Sequence, residues 1–132
     1  MTIDVLLVES DVGIRKAFEV TMRAYDLSFL SYENGISALR DLKHKTQENS
    51  ARLTLIGTPS PSERDHHPDD AQSRGQVYDE VLKLGTDVET VYFLGHVDEE
   101  SPAYVPRKGA QLLDLWDKNL IYTMFENLSK EQ

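Results

Sequence analysis

The opening of the chain decides the fold, and it reads Ile3-Asp4-Val5-Leu6-Leu7-Val8-Glu9-Ser10-Asp11. Its apolar residues are almost continuous, which is typical of a strand buried on both faces of a parallel sheet. The strand ends directly on polar residues, and Ser10 or Asp11 offers a side-chain oxygen that can cap a following helix. The opening therefore predicts a buried strand followed at once by a helix.

The alternation of strand and helix continues along the chain. Apolar patterns predict further strands at 27–32, 53–56, 90–94 and 103–106, and helices at 14–25, 36–42, 77–84 and 110–129. The polar residues 57–74 contain several prolines and are predicted to form a loop. Residues 95–108 are too few for a full helix with its connections, so the fourth helix is expected to be shortened or missing. The pattern predicts an α/β fold with a doubly wound, five-stranded parallel sheet.

Composition limits the class of protein. The 132 residues suffice for one domain, which we expect to span 1–132. A net charge of −9 argues against binding to nucleic-acid phosphates or to an anionic membrane. The absence of cysteine excludes disulfides, thiolate nucleophiles and cysteine-ligated metals. No apolar run is long enough for a signal peptide or a membrane span, so we expect a cytoplasmic protein.

Three segments carry a family resemblance. They are the opening stretch followed by Arg15, the segment Glu33-Asn34-Gly35-Ile36-Ser37-Ala38-Leu39, and the segment Tyr104-Val105-Pro106-Arg107-Lys108-Gly109. In this order they resemble the receiver domains of bacterial response regulators. The resemblance implies the flavodoxin-like receiver topology and a role in two-component signal transduction and the phosphorelay. Whether the chain stands alone or forms the N-terminal part of a longer regulator stays open.

The resemblance also implies a pocket at the strand ends. Receiver domains bind Mg²⁺ through acidic groups after the first strand, and an Asp that ends the third strand accepts a phosphoryl group. A hydroxyl residue ends their fourth strand and a Lys follows the fifth. The residues aligned with these positions here are Glu9, Ser10, Gly57, Gly95 and Lys108.

Gly57 has no side chain to accept a phosphoryl group. Formation of an aspartyl phosphate needs a carboxylate nucleophile and a hard cation held by oxygen ligands. The resemblance therefore implies a degenerate pocket in a pseudo-receiver, without catalytic residues, enzymatic activity or a bound Mg²⁺ cofactor. We interpret Glu9 as a leftover acidic group neutralised by Lys108, and Ser10 as a helix cap.

A second cluster invites a metal interpretation. The segment 65–70 contains His66, His67 and Asp69, which are residue types that ligate zinc, nickel or manganese. Neighbouring prolines and the lack of another ligand cluster favour a solvated loop instead. Binding of a small ligand or a metal in the degenerate pocket is the alternative function, and a phosphohydrolase ranks below it.

The last helix is expected to present two apolar faces. One is the expected core contact and consists of Leu113, Trp116, Leu120, Met124 and Leu128. The other contains Leu115, Tyr122 and Phe125, and it is covered either by the rest of the domain or by another protein. Trp116, Tyr122 and Phe125 are the candidate anchors for that contact. The expected function is thus phosphorylation-independent protein–protein interaction, with a partner or in a homodimer, through the last helix and the segment 96–107.

Overall fold

The fold is built around one parallel sheet. A computed structural model describes residues 3–44, 51–96 and 105–131. Its five strands lie in the order β2-β1-β3-β4-β5, and all neighbours are parallel. The strands are β1 Ile3–Val8, β2 Phe29–Tyr32, β3 Ala51–Gly57, β4 Val91–Gly95 and β5 Gln111–Asp114. The helices are α1 Val12–Ala24, α2 Gly35–His44, α3 Pro61–His66, α4 Pro68–Lys83 and α5 Lys118–Lys130, with a 3₁₀ turn at Val88–Thr90.

Both faces of the sheet are covered by helices. Alternate residues of a strand point to opposite faces, so Val5 and Leu7 join a core with Phe18 of α1 and Phe125 of α5. Leu6 and its neighbours on the other face pack against buried residues of α2 and α4. The continuous apolar run of β1 reflects this burial on two sides, and the doubly wound prediction is confirmed. No helix in the described ranges is long and apolar enough to cross a membrane.

The register brings the carboxyl ends of the strands to one edge. Val8 pairs with Ile56, Gly57 with Leu94, and Gly95 with Asp114. The residues that follow these strand ends therefore lie side by side. Ligand sites of open parallel sheets form at this edge. We therefore expect the functional site of the chain here.

The prediction that 57–74 is a loop is wrong. Pro61 is the first residue of α3 and Pro68 is the first residue of α4. Proline is well suited to the first turn of a helix, because the missing N–H would have no partner there and the fixed φ is helical. The prolines therefore start two helices where they were interpreted as marks of a loop.

The prediction for the last strand and helix is also corrected. The strand that follows β4 in the sheet is Gln111–Asp114, the described part of the predicted strand (105–106) is not a strand, and α5 begins at Lys118 and not at Ala110. Asp117 caps α5 by accepting a hydrogen bond from the Leu120 amide at 3.1 Å, which fixes the start of the helix. Residues 97–104 lie outside the described residues. The predicted shortening of the fourth helix concerns mostly this segment. The described residues 105–110 contain neither helix nor strand.

Candidate functional site at the carboxyl edge of the sheet

Glu9 occupies the space above Gly57. The Glu9 side chain is buried, and one of its oxygens accepts a hydrogen bond from the Asp11 amide at 3.1 Å. A Cβ atom added to Gly57 would meet the Glu9 carboxylate, with its Cδ only 3.0 Å away, and would lie 3.2 Å from the Val8 carbonyl oxygen. The position at which a side chain of residue 57 would begin is therefore filled by the carboxyl group of residue 9.

Burial is the main influence on the pKa of Glu9. Desolvation raises the pKa of its carboxyl group above the ordinary value, although the Asp11 amide and the charge of Arg74 act in the opposite direction. Asp11, and not Ser10 as predicted from the sequence, caps α1 by accepting from the Ile14 amide at 3.0 Å. Both carboxylates after β1 are thus used as acceptors for backbone N–H groups.

Arg74 of α4 supplies a buried positive charge at this edge. Its side chain is 1% exposed, and it donates a hydrogen bond to the Gly57 carbonyl oxygen at 3.0 Å. The same guanidinium also binds the carboxylate of Glu63 on α3 and that of Asp70 on α4, the latter at 3.2 Å. The remaining nitrogen, Nε, has no hydrogen-bond partner among the described residues. A single cation therefore links the end of β3 to α3 and α4.

Asp70 extends the connection to α2. Its second carboxylate oxygen accepts hydrogen bonds from the amides of Gly35 and Ile36, at 2.8 and 3.2 Å. These amides belong to the first turn of α2, where backbone N–H groups lack partners within the helix. Asp70 thus binds Arg74 and caps a helix that is distant in sequence.

Glu63 has a similar double role. It forms a capping box with Ser60, in which the Glu63 amide donates to the serine hydroxyl at 3.1 Å and the carboxylate accepts from the Ser60 amide at 3.2 Å. Burial acts to raise the pKa of Glu63, but the hydrogen bond from Ser60 and the charge of Arg74 outweigh it and hold the pKa below the ordinary value. Glu63 is therefore ionised at neutral pH.

A cleft of about 570 Å³ opens beside these groups. Glu9, Ser10 and Glu63 lie on one side, while Gly95, His96 and Leu115 lie on the other. A second, mainly apolar groove of about 360 Å³ runs between α1 and α5, and its walls include Trp116, Tyr122 and Phe125. The rings of His96 and Trp116 stack with centroids 4.8 Å apart, and both residues border this groove.

The structure brings four of the five predicted pocket residues together. Glu9, Ser10 and Gly95 line the cleft, and Gly57 lies directly against Glu9. Lys108 does not belong with them, because it precedes β5 and so lies toward the amino end of that strand, at the opposite edge of the sheet. The interpretation that Lys108 neutralises Glu9 is therefore wrong. The cation near Glu9 is Arg74.

The acidic groups at this edge are engaged in contacts within the chain. The acidic groups after β1 accept backbone hydrogen bonds, and Arg74 places a positive charge among the remaining ones. His66 ends α3, His67 precedes the first turn of α4, and Asp69 lies in that turn, all of them exposed. Across the described ranges, no three His, Asp or Glu side chains are grouped as metal ligands.

The candidate interaction residues divide into two kinds. Trp116 and Tyr122 are 69% and 44% exposed, as a surface role requires. Phe125 is 1% exposed and packs edge-to-face against Phe18, with ring centroids 6.1 Å apart. Its prediction as a surface anchor is wrong. The proposed core stripe is also wrong in part, because Trp116 and Leu120 face solvent while Ile121 is buried.

Sequence reasoning missed Arg74, Glu63 and Asp70. All three lie in the segment that was interpreted wholly as loop, although two local signals were available. Ser60 is followed three residues later by Glu63, which is the capping-box pattern. Asp70 and Arg74 are four residues apart, the spacing that pairs charges on one helical face.

Comparison with known proteins identifies the fold. No protein-family model matches the chain, and no curated protein sequence matches it. Among solved structures, the chain is similar to the response regulator StyR, with a TM-score of 0.60 and 13% sequence identity over 98% of this chain. The fold is that of a receiver domain.

The comparison is informative about architecture rather than about the site. The receiver-type chain spans 59% of the length of StyR. A transiently phosphorylated "switch" in bacterial signal transduction is a further similar structure, with a TM-score of 0.49, 17% identity, and coverage of 99% of this chain and 98% of that one. At these identities the roles of individual residues have to be argued from the local chemistry described above.

Proposed function

We propose that this chain is a pseudo-receiver, a signalling module that acts by protein–protein interaction without being phosphorylated. The observation that carries the proposal is the Glu9 carboxyl group in the space above Gly57. At the position where receiver domains carry their acceptor Asp, this chain has no nucleophile, and the neighbouring side chain fills the room for one.

The local electrostatics support this proposal. Phosphoryl transfer needs positive charge free to stabilise the transferred group. The positive charge of Arg74 is already engaged by two carboxylates and the Gly57 carbonyl oxygen. We therefore expect that no Mg²⁺ is needed to balance the acidic groups, since the guanidinium of Arg74 already supplies positive charge among them.

The signalling role is supported by the receiver fold shared with the response regulator StyR. The interaction role is supported by the exposed aromatic residues beside the apolar groove between α1 and α5. Large aromatic side chains that stay exposed next to an apolar groove are typical anchors of protein contacts. These residues are Trp116 and Tyr122. The groove beside them binds another protein or a second copy of the chain.

The test is an amide spectrum recorded with acetyl phosphate, or with beryllofluoride, in the presence of Mg²⁺. We expect the resonances of Glu9, Gly57 and Gly95 to stay where they are. A receiver domain with an intact acceptor Asp serves as the positive control under the same conditions. Saturable shifts around Glu9 and Gly57 would contradict the proposal.

The cleft of about 570 Å³ supports one alternative, a small-ligand site in the same pocket. Calorimetry with a panel of nucleotides and divalent metals distinguishes the two functions. Heat of binding that disappears in a Glu9→Ala variant would favour the ligand site, and silence across the panel would favour the interaction module.

A further inference from the structure

Arg74 joins four elements of the fold through its own side chain and through Asp70. Its guanidinium binds the end of β3, the carboxylate of Glu63 on α3, and Asp70 on α4, which in turn caps α2. We propose that this network, consisting of Arg74, Glu63 and Asp70, is a built-in ionic lock that holds the carboxyl edge in one conformation. This inference rests on the proposed function, in which the pocket receives no phosphoryl group. It adds that the domain presents its interaction surface permanently.

Burial makes the lock strong. An isolated charge in a protein interior is costly, so a buried guanidinium is held firmly by partners that compensate it. Arg74 is fully buried, and its two carboxylate partners are 24% and 14% exposed in their side chains. Loss of Arg74 would leave both carboxylates without their cation, and loss of either carboxylate would remove one of the two ionic contacts of the guanidinium. The network therefore opposes local opening of its members.

Close packing leaves the lock little freedom. A Cβ atom on Gly35 would lie 2.9 Å from the Arg74 backbone nitrogen, so the start of α2 rests directly on α4. The amides of this first turn are bonded to Asp70. A shift of Arg74 would therefore be transmitted to the cap of α2.

The helix α3 depends most on the lock. It has six residues, and none of them is buried. Segments with few buried apolar contacts open at low free energy. The bond between Glu63 and Arg74 is thus a main attachment of α3 to the body of the domain, and α3 is where loss of the lock would be visible first.

The decisive variant is Glu63→Gln. A glutamine can still complete the capping box with Ser60, but it removes one of the two negative charges that face Arg74. The matched control is Asp79→Asn, which weakens the 2.7 Å ion pair between Asp79 of α4 and Arg107, a pair that does not include Glu63, Asp70 or Arg74. Arg74→Met is a second variant that removes the cation itself.

The readouts are ¹⁵N relaxation dispersion and amide hydrogen exchange. In the unmodified chain we expect no millisecond exchange at Gly35, Gly57 or the α3 amides. Glu63→Gln should speed hydrogen exchange of the Arg64 and His67 amides about tenfold or more, since hydrogen bonds to charged groups are the stronger ones. Asp79→Asn should leave these rates unchanged.

Three results would overturn the lock. One is two-state exchange at Gly35 and Gly57 in the unmodified chain. Another is a Glu63→Gln variant with unaltered exchange rates, and the third is an equal effect of Asp79→Asn. If Arg74→Met does not fold, Glu63→Gln still decides the question. The acetyl phosphate spectrum tests phosphorylation separately, so failure of the lock and failure of the proposed function are distinguishable.

Discussion

At the scale of single residues, the site is defined by a reciprocal pair. A glycine ends β3, and the carboxyl group of Glu9 lies where a side chain at that position would begin. The two positions are therefore coupled by shape, because a larger residue 57 requires Glu9 to move. Neighbours that compete for one volume show non-additive effects on stability.

Gly57→Ala tests that coupling. We expect it to lower the free energy of unfolding by about 1–3 kcal/mol, the usual cost of overpacking a tight site. The loss should be smaller in a Glu9→Ala background, since the carboxylate is then gone and only the Val8 carbonyl oxygen crowds the new methyl group. Urea unfolding of the two single variants and the double variant gives the coupling energy. Additive effects would contradict the shared volume.

The protonation of Glu9 leads to a prediction with a definite sign. Its pKa in the folded state is raised above the ordinary value of 4.5, so the folded state disfavours the ionised form. Ionisation therefore costs stability, and this cost grows as the pH rises from about 4.5 through the raised pKa. Glu9→Gln should be more stable than the unmodified chain at pH 7, and the difference should vanish below pH 4.5. Urea unfolding between pH 4 and pH 8 measures it, and a variant that is less stable at pH 7 would exclude this account.

At the scale of elements, the question is how α3 and α4 arise from a segment that is rich in proline and charge. Both helices begin at a proline, and α3 is stabilised by the capping box of Ser60 and Glu63. Once helical, the segment places Asp70 and Arg74 one turn apart, facing α2 and the end of β3. The electrostatic site thus depends on local helix signals.

Ser60→Ala tests the contribution of the cap. Loss of the hydroxyl leaves the Glu63 amide without its acceptor, and we expect about 1 kcal/mol less stability or local unfolding of α3. Ser62→Ala is a matched control, because Ser62 is an exposed residue of the same helix, and its effect should stay within about 0.5 kcal/mol. Urea unfolding and the Cα chemical shifts of 61–66 report the two variants. Equal effects would mean that the capping box does not hold α3.

These elements also explain what the sequence could and could not predict. The strands β1 to β4 were predicted because their residues form compact apolar runs. The end of α4 was predicted from the apolar pattern that stops at residue 84, and Gly85, which follows it, has a positive φ of 89°. Arg74 could not be assigned to the site, since its role depends on contacts with Gly57 and Glu63 across the fold. The strand β5 was misplaced because only three residues separate its end from the first residue of α5, and the apolar pattern runs through both.

At the scale of the whole molecule, the candidate pocket and the candidate interaction surface lie close together. The cleft at the carboxyl edge and the groove between α1 and α5 share Ile14, His96 and Leu115 in their walls. The cleft and the groove are therefore adjoining surfaces, and a partner bound in the groove would contact residues that also line the cleft.

The surface and the core of α5 can be separated by two substitutions. Phe125→Ala should cost about 3–5 kcal/mol because the ring is buried against Phe18. Trp116→Ala should change the free energy of unfolding by less than about 1 kcal/mol, since its side chain is largely exposed and its ring contact is with His96. Light scattering then identifies the occupant of the groove. A mass of twice 15.0 kDa that returns to the monomer value in Trp116→Ala assigns it to a second copy, and a monomer in both excludes a second copy. A large loss of stability in Trp116→Ala would show that this residue belongs to the fold and would remove it from the interaction surface.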